Sequence, residues 1–252
     1  STNNNIVNLE GATVNGTITG GTQAIGTGNT LNVKGMNNRA GNIANFQNIN
    51  FDAAGAEKDS TLLTVTGTAA TKVDWTKLTA KGTAAKPLTL LKNDNGIALA
   101  GYTGAAKSET TGTTETNIDV RRENDGTVTA ITYEGYQFAG AATAVTSDGN
   151  TYGGISKAGN STRDNAITVN GDYTNVYGGH TSGLGTTRDD KDNSYSNTVT
   201  ITGGRIGAVY GGYTDAAAGT TTGNTVNIGD GTNALAAGTT IDEIHGGNRS
   251  QA

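Results

Sequence analysis

Three short segments of this chain repeat one another, and that repetition constrains the fold more than any other feature. Asn165-Ala-Ile-Thr-Val-Asn-Gly171, Asn197-Thr-Val-Thr-Ile-Thr-Gly203 and Asn224-Thr-Val-Asn-Ile-Gly-Asp230 each read Asn-x-apolar-x-apolar. Alternation with a period of two is the signature of a strand with one apolar face. A second block follows each strand. Val176-Tyr177-Gly178-Gly179-His180-Thr181 is matched by Val209-Tyr210-Gly211-Gly212-Tyr213-Thr214, with Ile244-His245-Gly246-Gly247-Asn248 a degenerate copy and Thr151-Tyr152-Gly153-Gly154 a preceding fragment. The strand copies lie 32 and 27 residues apart. Unequal periods with constant strands are what loop insertions produce in a stacked array.

A strand of four or five residues cannot bury its apolar face alone. Stacking equivalent strands in parallel closes a narrow common core. This predicts Ile167, Val199 and Val226 in one row and Val169, Ile201 and Ile228 in the next. Asn165, Asn197 and Asn224 are then expected to form a structural amide ladder, each bonding its neighbour. With roughly 25–30 residues per turn and a strand spacing of ~4.8 Å, about nine turns would extend on the order of 45 Å.

Composition agrees with an all-β reading. The 252 residues include 39 glycines but one proline, with 33% hydrophobic and 15% charged residues. Glycine disfavours helix interiors, and threonine, valine and isoleucine favour pleated surfaces. Cysteine is absent, so backbone ladders and packing must hold the fold without disulfides. The net charge of −5, with no basic run beyond Arg121-Arg122, argues against nucleic acid as a partner. No apolar run approaches the ~20 residues that span a bilayer as a helix.

Residues 1–94 carry less regular strands of the same character: Ile6–Leu9, Ala12–Ile18, Thr30–Val33, Asn42–Phe51, Thr61–Val65, Val73–Leu78 and Pro87–Leu91. Residues 95–148 break the pattern. There Asn117–Glu123 and Thr127–Tyr133, joined through Asp125-Gly126, predict a β-hairpin inserted near 117–133. Gly104 to Thr116 is small and polar and reads as a loop. Residues 149–252 hold the regular repeats.

Asn197-Thr-Val-Thr-Ile-Thr-Gly-Gly204, followed by Val209-Tyr-Gly-Gly-Tyr-Thr214, resembles the repeats of type V autotransporter passengers, the exported parts of bacterial outer-membrane proteins. Gly41–Phe51 and Ser60–Gly67 are similar to other turns of such passengers. The resemblance implies a right-handed parallel β-helix (a β-solenoid) on the bacterial cell surface. A C-terminal membrane barrel, not among these residues, would hold it in the outer membrane. It also implies a structural or adhesive role in attachment, aggregation or biofilm formation. The partners would be surface glycans or proteins of host or bacterium, or a second copy of the chain.

Catalytic chemistry finds little footing. Nucleophile signatures of the Gly-x-Ser-x-Gly type are missing, and both histidines, His180 and His245, occupy repeat positions. The expectation is no catalytic residues and no enzyme. The alternative is a carbohydrate-active enzyme on the same scaffold, a polysaccharide lyase or glycosidase, which needs converging carboxylates. The acid cluster Asp189, Asp190 and Asp192 reads as a solvated loop or as a Ca²⁺ site through oxygen ligands; no other cofactor is expected. Tyr152, Tyr177, Tyr210 and His245 occupy equivalent positions. They read as a stacked aromatic ladder covered by a neighbouring loop, or as a ligand-binding strip if the row faces solvent.

Overall fold

The computed structural model describes residues 3–21, 26–57, 59–157, 159–182 and 193–250. Among them the chain is all-β. Its strands form several sheets, mostly parallel, and the one helical element is the single 3-10 turn Trp75–Lys77. Two compact units are present: residues 1–109 with 116–135, and residues 110–115 with 136–252.

In the first unit Ile6–Glu10, Thr30–Lys34, Asn48–Asp52 and Leu78–Lys81 form a four-stranded parallel sheet. The register aligns Leu9, Val33, Phe51 and Ala80 in one row and Val7, Leu31, Ile49 and Leu78 in another. Leu31, Val33, Ile49 and Phe51 are all buried. Each such side chain contributes about 1.5–3 kcal/mol on leaving water. The alternate positions face outward as two ladders. Asn8, Asn32, Asn50 and Thr79 are linked side chain to side chain at 2.8–2.9 Å. Two residues on, Glu10, Lys34, Asp52 and Lys81 alternate in sign, with ion pairs Lys34–Glu10 at 3.0 Å and Lys81–Asp52 at 3.4 Å.

A second sheet of this unit aligns Thr13–Thr19, Asn38–Ala44, Thr61–Val65 and Ala84–Lys92 in parallel. Val128–Gln137 then joins antiparallel to Ala84–Lys92, with Thr114–Arg122 beyond it. These last two strands are the expected hairpin. Its turn closes through Glu123 N–H to Thr127 O at 2.9 Å and Gly126 N–H to Glu123 O at 2.9 Å. Tyr133 donates its hydroxyl to Gly82 O at 2.6 Å, tying the hairpin to its own unit.

Three local expectations are corrected. Residues 104–116 hold the edge strand Lys107–Thr111 rather than only a loop; its polar, exposed side chains carry no apolar alternation that the sequence could signal. Asn42–Phe51 is two strands, because Asn45 takes a left-handed φ of 59° and turns a corner between them. Val73–Leu78 is also divided, by the 3-10 turn whose cap Asp74 accepts from Thr76 N–H.

The second unit is built from one strand of every repeat in each of three sheets. Asn150–Ser156, Tyr173–Thr181, Arg205–Tyr210 and Thr240–His245 pair in parallel. So do Ala166–Asn170, Thr198–Gly203 and Thr225–Ile228. Thr162–Arg163, Ser194–Tyr195 and Thr221–Thr222 make the third, shorter sheet. Ile167, Val199 and Val226 align as expected, as do Val169, Ile201 and Ile228. The inner members Val176, Val199, Ile201 and Val209 are fully buried, whereas Ile228 and Ile244, in the last repeat, are 44% and 52% exposed.

The amide ladder runs between these sheets. Asn165 Nδ2 donates to Asn197 Oδ1 at 2.6 Å, and Asn197 Nδ2 donates to Asn224 Oδ1 at 2.9 Å. The same oxygens also accept backbone N–H groups of the preceding rung. Buried hydroxyls lie alongside: Thr162 Oγ1 donates to Ser194 Oγ at 3.0 Å. Buried polar groups are stable only when paired, and here each rung satisfies the next.

Candidate functional site

The parallel register places Tyr152 beside Tyr177, Tyr177 beside Tyr210 and Tyr210 beside His245. Their rings stack with centroids 5.1, 5.1 and 4.9 Å apart and interplanar angles of 8°, 10° and 7°. All four predicted residues are thus brought together in one row. They are half-buried, neither covered over nor freely exposed. Val176 and Val209, immediately before two of the tyrosines, point into the core.

A second row, not foreseen, runs beside the first. His180 stacks on Tyr213 at 5.0 Å and 9°, and both meet the first row edge to face. Tyr177–His180, Tyr177–Tyr213 and Tyr210–Tyr213 have centroids 5.0, 5.4 and 5.2 Å apart, near 70°. Six rings therefore form a herringbone strip. Edge-to-face contact is favoured because the electropositive rim of one ring meets the electron-rich face of the next. The signal was in the sequence, in the aromatic that follows Tyr-Gly-Gly in two copies.

The glycine pair between the rows has a packing reason. A Cβ on Gly178 would lie 2.2 Å from Gly211 O, and one on Gly211 would lie 2.4 Å from Gly246 O. A Cβ on Gly179 or Gly212 would strike the amide ladder, 2.7 Å from Asn197 Nδ2 and 2.3 Å from Asn224 Nδ2 respectively. The adjacent repeat and the amide ladder therefore fill the space beside these glycines.

Stacking also decides what the strip can offer chemically. Ring faces inside the rows are covered by their neighbours, so edges and polar tips are what solvent meets. Burial first, then the neighbouring Tyr152, Tyr210, Tyr213 and Asp215, push the Tyr177 phenol above its ordinary range. Burial first, then Glu243 and Tyr213, raise that of Tyr210. Both stay protonated and able to donate at neutral pH.

Each histidine has an acidic neighbour: His180 Nε2 lies 3.4 Å from Asp215 Oδ2, and His245 Nε2 lies 3.2 Å from Glu243 Oε2. Ser182 Oγ is 3.5 Å from His180 Nδ1 and 3.4 Å from Asp215 Oδ2. A nucleophile and its base usually approach to about 2.6–3.2 Å. Here the carboxylate also reaches the hydroxyl itself instead of only orienting the ring, unlike the relay of a serine hydrolase.

Asp189, Asp190 and Asp192 lie outside the described residues. Among the described residues no three His, Asp or Glu side chains gather as a metal site would require. No protein-family model, curated protein or solved structure matches the chain.

Proposed function

We propose that this chain is a non-catalytic attachment module, part of an autotransporter-like passenger displayed outside a bacterial outer membrane, and that its repeats wind as a right-handed parallel β-helix. The observation that carries this reading is the herringbone strip of Tyr152, Tyr177, Tyr210, His245, His180 and Tyr213, repeated at the spacing of the strands themselves. A periodic row of phenol tips and ring edges suits many weak contacts spread along a surface. Affinity would come from multiplicity rather than from one deep pocket. The parallel register of equivalent repeats supports the winding, and the absence of cysteine suits export of an unfolded chain.

Beads coated with the 252-residue chain test this by their adhesion to mucin-coated surfaces, to bacterial cells and to one another. Coated beads should adhere or aggregate. Tyr177→Ala and Tyr210→Ala should each weaken retention under flow by less than about threefold, and deletion of residues 197–223 should abolish it. Adhesion to none of these surfaces, or its complete loss in one point variant with an unchanged circular dichroism spectrum, would overturn the reading.

A further inference from the structure

The first unit carries a feature that the aromatic strip does not absorb. The outward face of its four-stranded sheet is a trough of about 860 Å³. One side is the ladder Asn8, Asn32, Asn50 and Thr79, and the other is the ladder Glu10, Lys34, Asp52 and Lys81. The strand peptides carrying Leu9, Val33, Phe51 and Ala80 form the floor between them.

Each feature narrows the class of occupant. An asparagine amide has two N–H donors and an oxygen with two acceptor positions. In the ladder, Asn32 spends one donor on Asn8 at 2.8 Å, and Asn50 spends one on Asn32 at 2.9 Å. Each of these rungs therefore retains a donor and an acceptor position beyond its ladder bonds. Rungs recur every ~4.8 Å, the spacing of neighbouring strands, which is close to the advance per sugar in an extended pyranose chain. A sugar hydroxyl is itself donor and acceptor, matching one rung at a time. The opposite wall alternates in sign, acid then base then acid then base, so its attraction for a polyanion or a polycation largely cancels along the row. Phe51 points into the core, so no aromatic ring lines the trough to take an apolar side chain.

We propose that this trough is a binding groove for a neutral, linear, β-linked glycan, whose sugars lie across successive strands and hydrogen-bond to the asparagine ladder. The groove is separate from the aromatic strip and does not depend on that strip's role.

The test is a titration of the intact chain with cellohexaose and with xylohexaose, with oligogalacturonate and a chitosan oligomer as charged counterparts. Binding is followed by calorimetry and by side-chain amide resonances. At least one neutral oligomer should bind saturably, shift the amide signals of Asn8, Asn32 and Asn50, and bind at least tenfold more tightly than either charged oligomer. Asn32→Leu combined with Asn50→Leu should weaken it at least tenfold. Should that pair fail to fold, the single variant Asn32→Ser should still weaken binding at least threefold, whereas Lys72→Gln, at an exposed strand position outside the trough, should bind cellohexaose or xylohexaose within about threefold of the parent. The proposal is overturned if neither neutral oligomer saturates, if a charged oligomer binds as tightly, if the shifts fall on Tyr177 and Tyr210 instead, or if a folded ladder variant binds unchanged.

Discussion

Tyr177 and His180 stand three positions apart on one strand, yet their rings meet edge to face with centroids 5.0 Å apart. On a flat strand an odd separation sends two side chains to opposite faces. The glycine pair between them breaks that rule. The ladder pairs Tyr177 with Tyr210 and resumes only at His180 and Tyr213, and Gly211-Gly212 is a bend outside any strand. Two aromatic rows thereby share one surface.

The contact should carry energy. In a double-mutant cycle with Tyr177→Leu and His180→Leu, unfolding by urea is expected to show a coupling of about 0.5–1.5 kcal/mol, the range for aromatic pairs in contact. Strict additivity of the two substitutions would mean the rings are neighbours without being partners.

Gly178→Ala and Gly246→Ala form a matched pair. The first puts a methyl 2.2 Å from Gly211 O, whereas the second meets nothing within 4 Å. Overpacking of this kind costs about 1–3 kcal/mol, while Gly246→Ala should stay within about 0.5 kcal/mol of the parent. Denaturation midpoints of the two variants measure the difference directly. Equal effects would contradict the stacking contact.

Asn197 is fully buried and bonded on both sides, accepting from Asn165 Nδ2 and donating to Ser194 Oγ at 3.2 Å and Asn224 Oδ1 at 2.9 Å. Asn197→Ala strands a buried donor on Asn165 and should destabilise the second unit by about 2–4 kcal/mol, the sum of lost bonds and an unpaired group. Asn224→Ala, at the half-buried last rung, should cost less. Thermal unfolding of both variants checks the order.

Alkali should loosen the second unit. The Tyr177 and Tyr210 phenols are raised above the ordinary value of 10.0, chiefly by burial. A raised folded-state pKa contributes stability that is fully present below the unfolded value and is lost as pH rises through the folded one. Stability should therefore fall as pH climbs past about 10. Phenolate absorbance should show three tyrosines lagging behind the rest, Tyr177 and Tyr210 together with the buried Tyr133 of the first unit, and Tyr177→Phe should remove one of them and flatten the decline.

The rows of the second unit were legible residue by residue. Asn165, Asn197 and Asn224 precede apolar residues at fixed offsets, and parallel pairing at a constant register converts equal offsets into shared rows. The first unit was less legible because its turns vary. Even so, Val7-Asn8-Leu9, Leu31-Asn32-Val33 and Ile49-Asn50-Phe51 repeat an apolar-Asn-apolar triplet that marks the outward ladder. The edge strand Lys107–Thr111 left no such trace, since exposed polar residues at a sheet margin carry no alternation.

By itself, then, the sequence determined that strands would form, which side chains would face the core and which residues would align from repeat to repeat, because period-two alternation and equal offsets are local properties of the chain. Tertiary structure decided that the second row of His180 and Tyr213, whose recurrence the sequence did carry, meets the first row edge to face, that each Tyr-Gly-Gly glycine is needed by the neighbouring repeat, and that the ring faces are consumed in stacking. These depend on how closely one repeat lies on the next, and a separation of a few ångströms between backbones is not written in any single repeat.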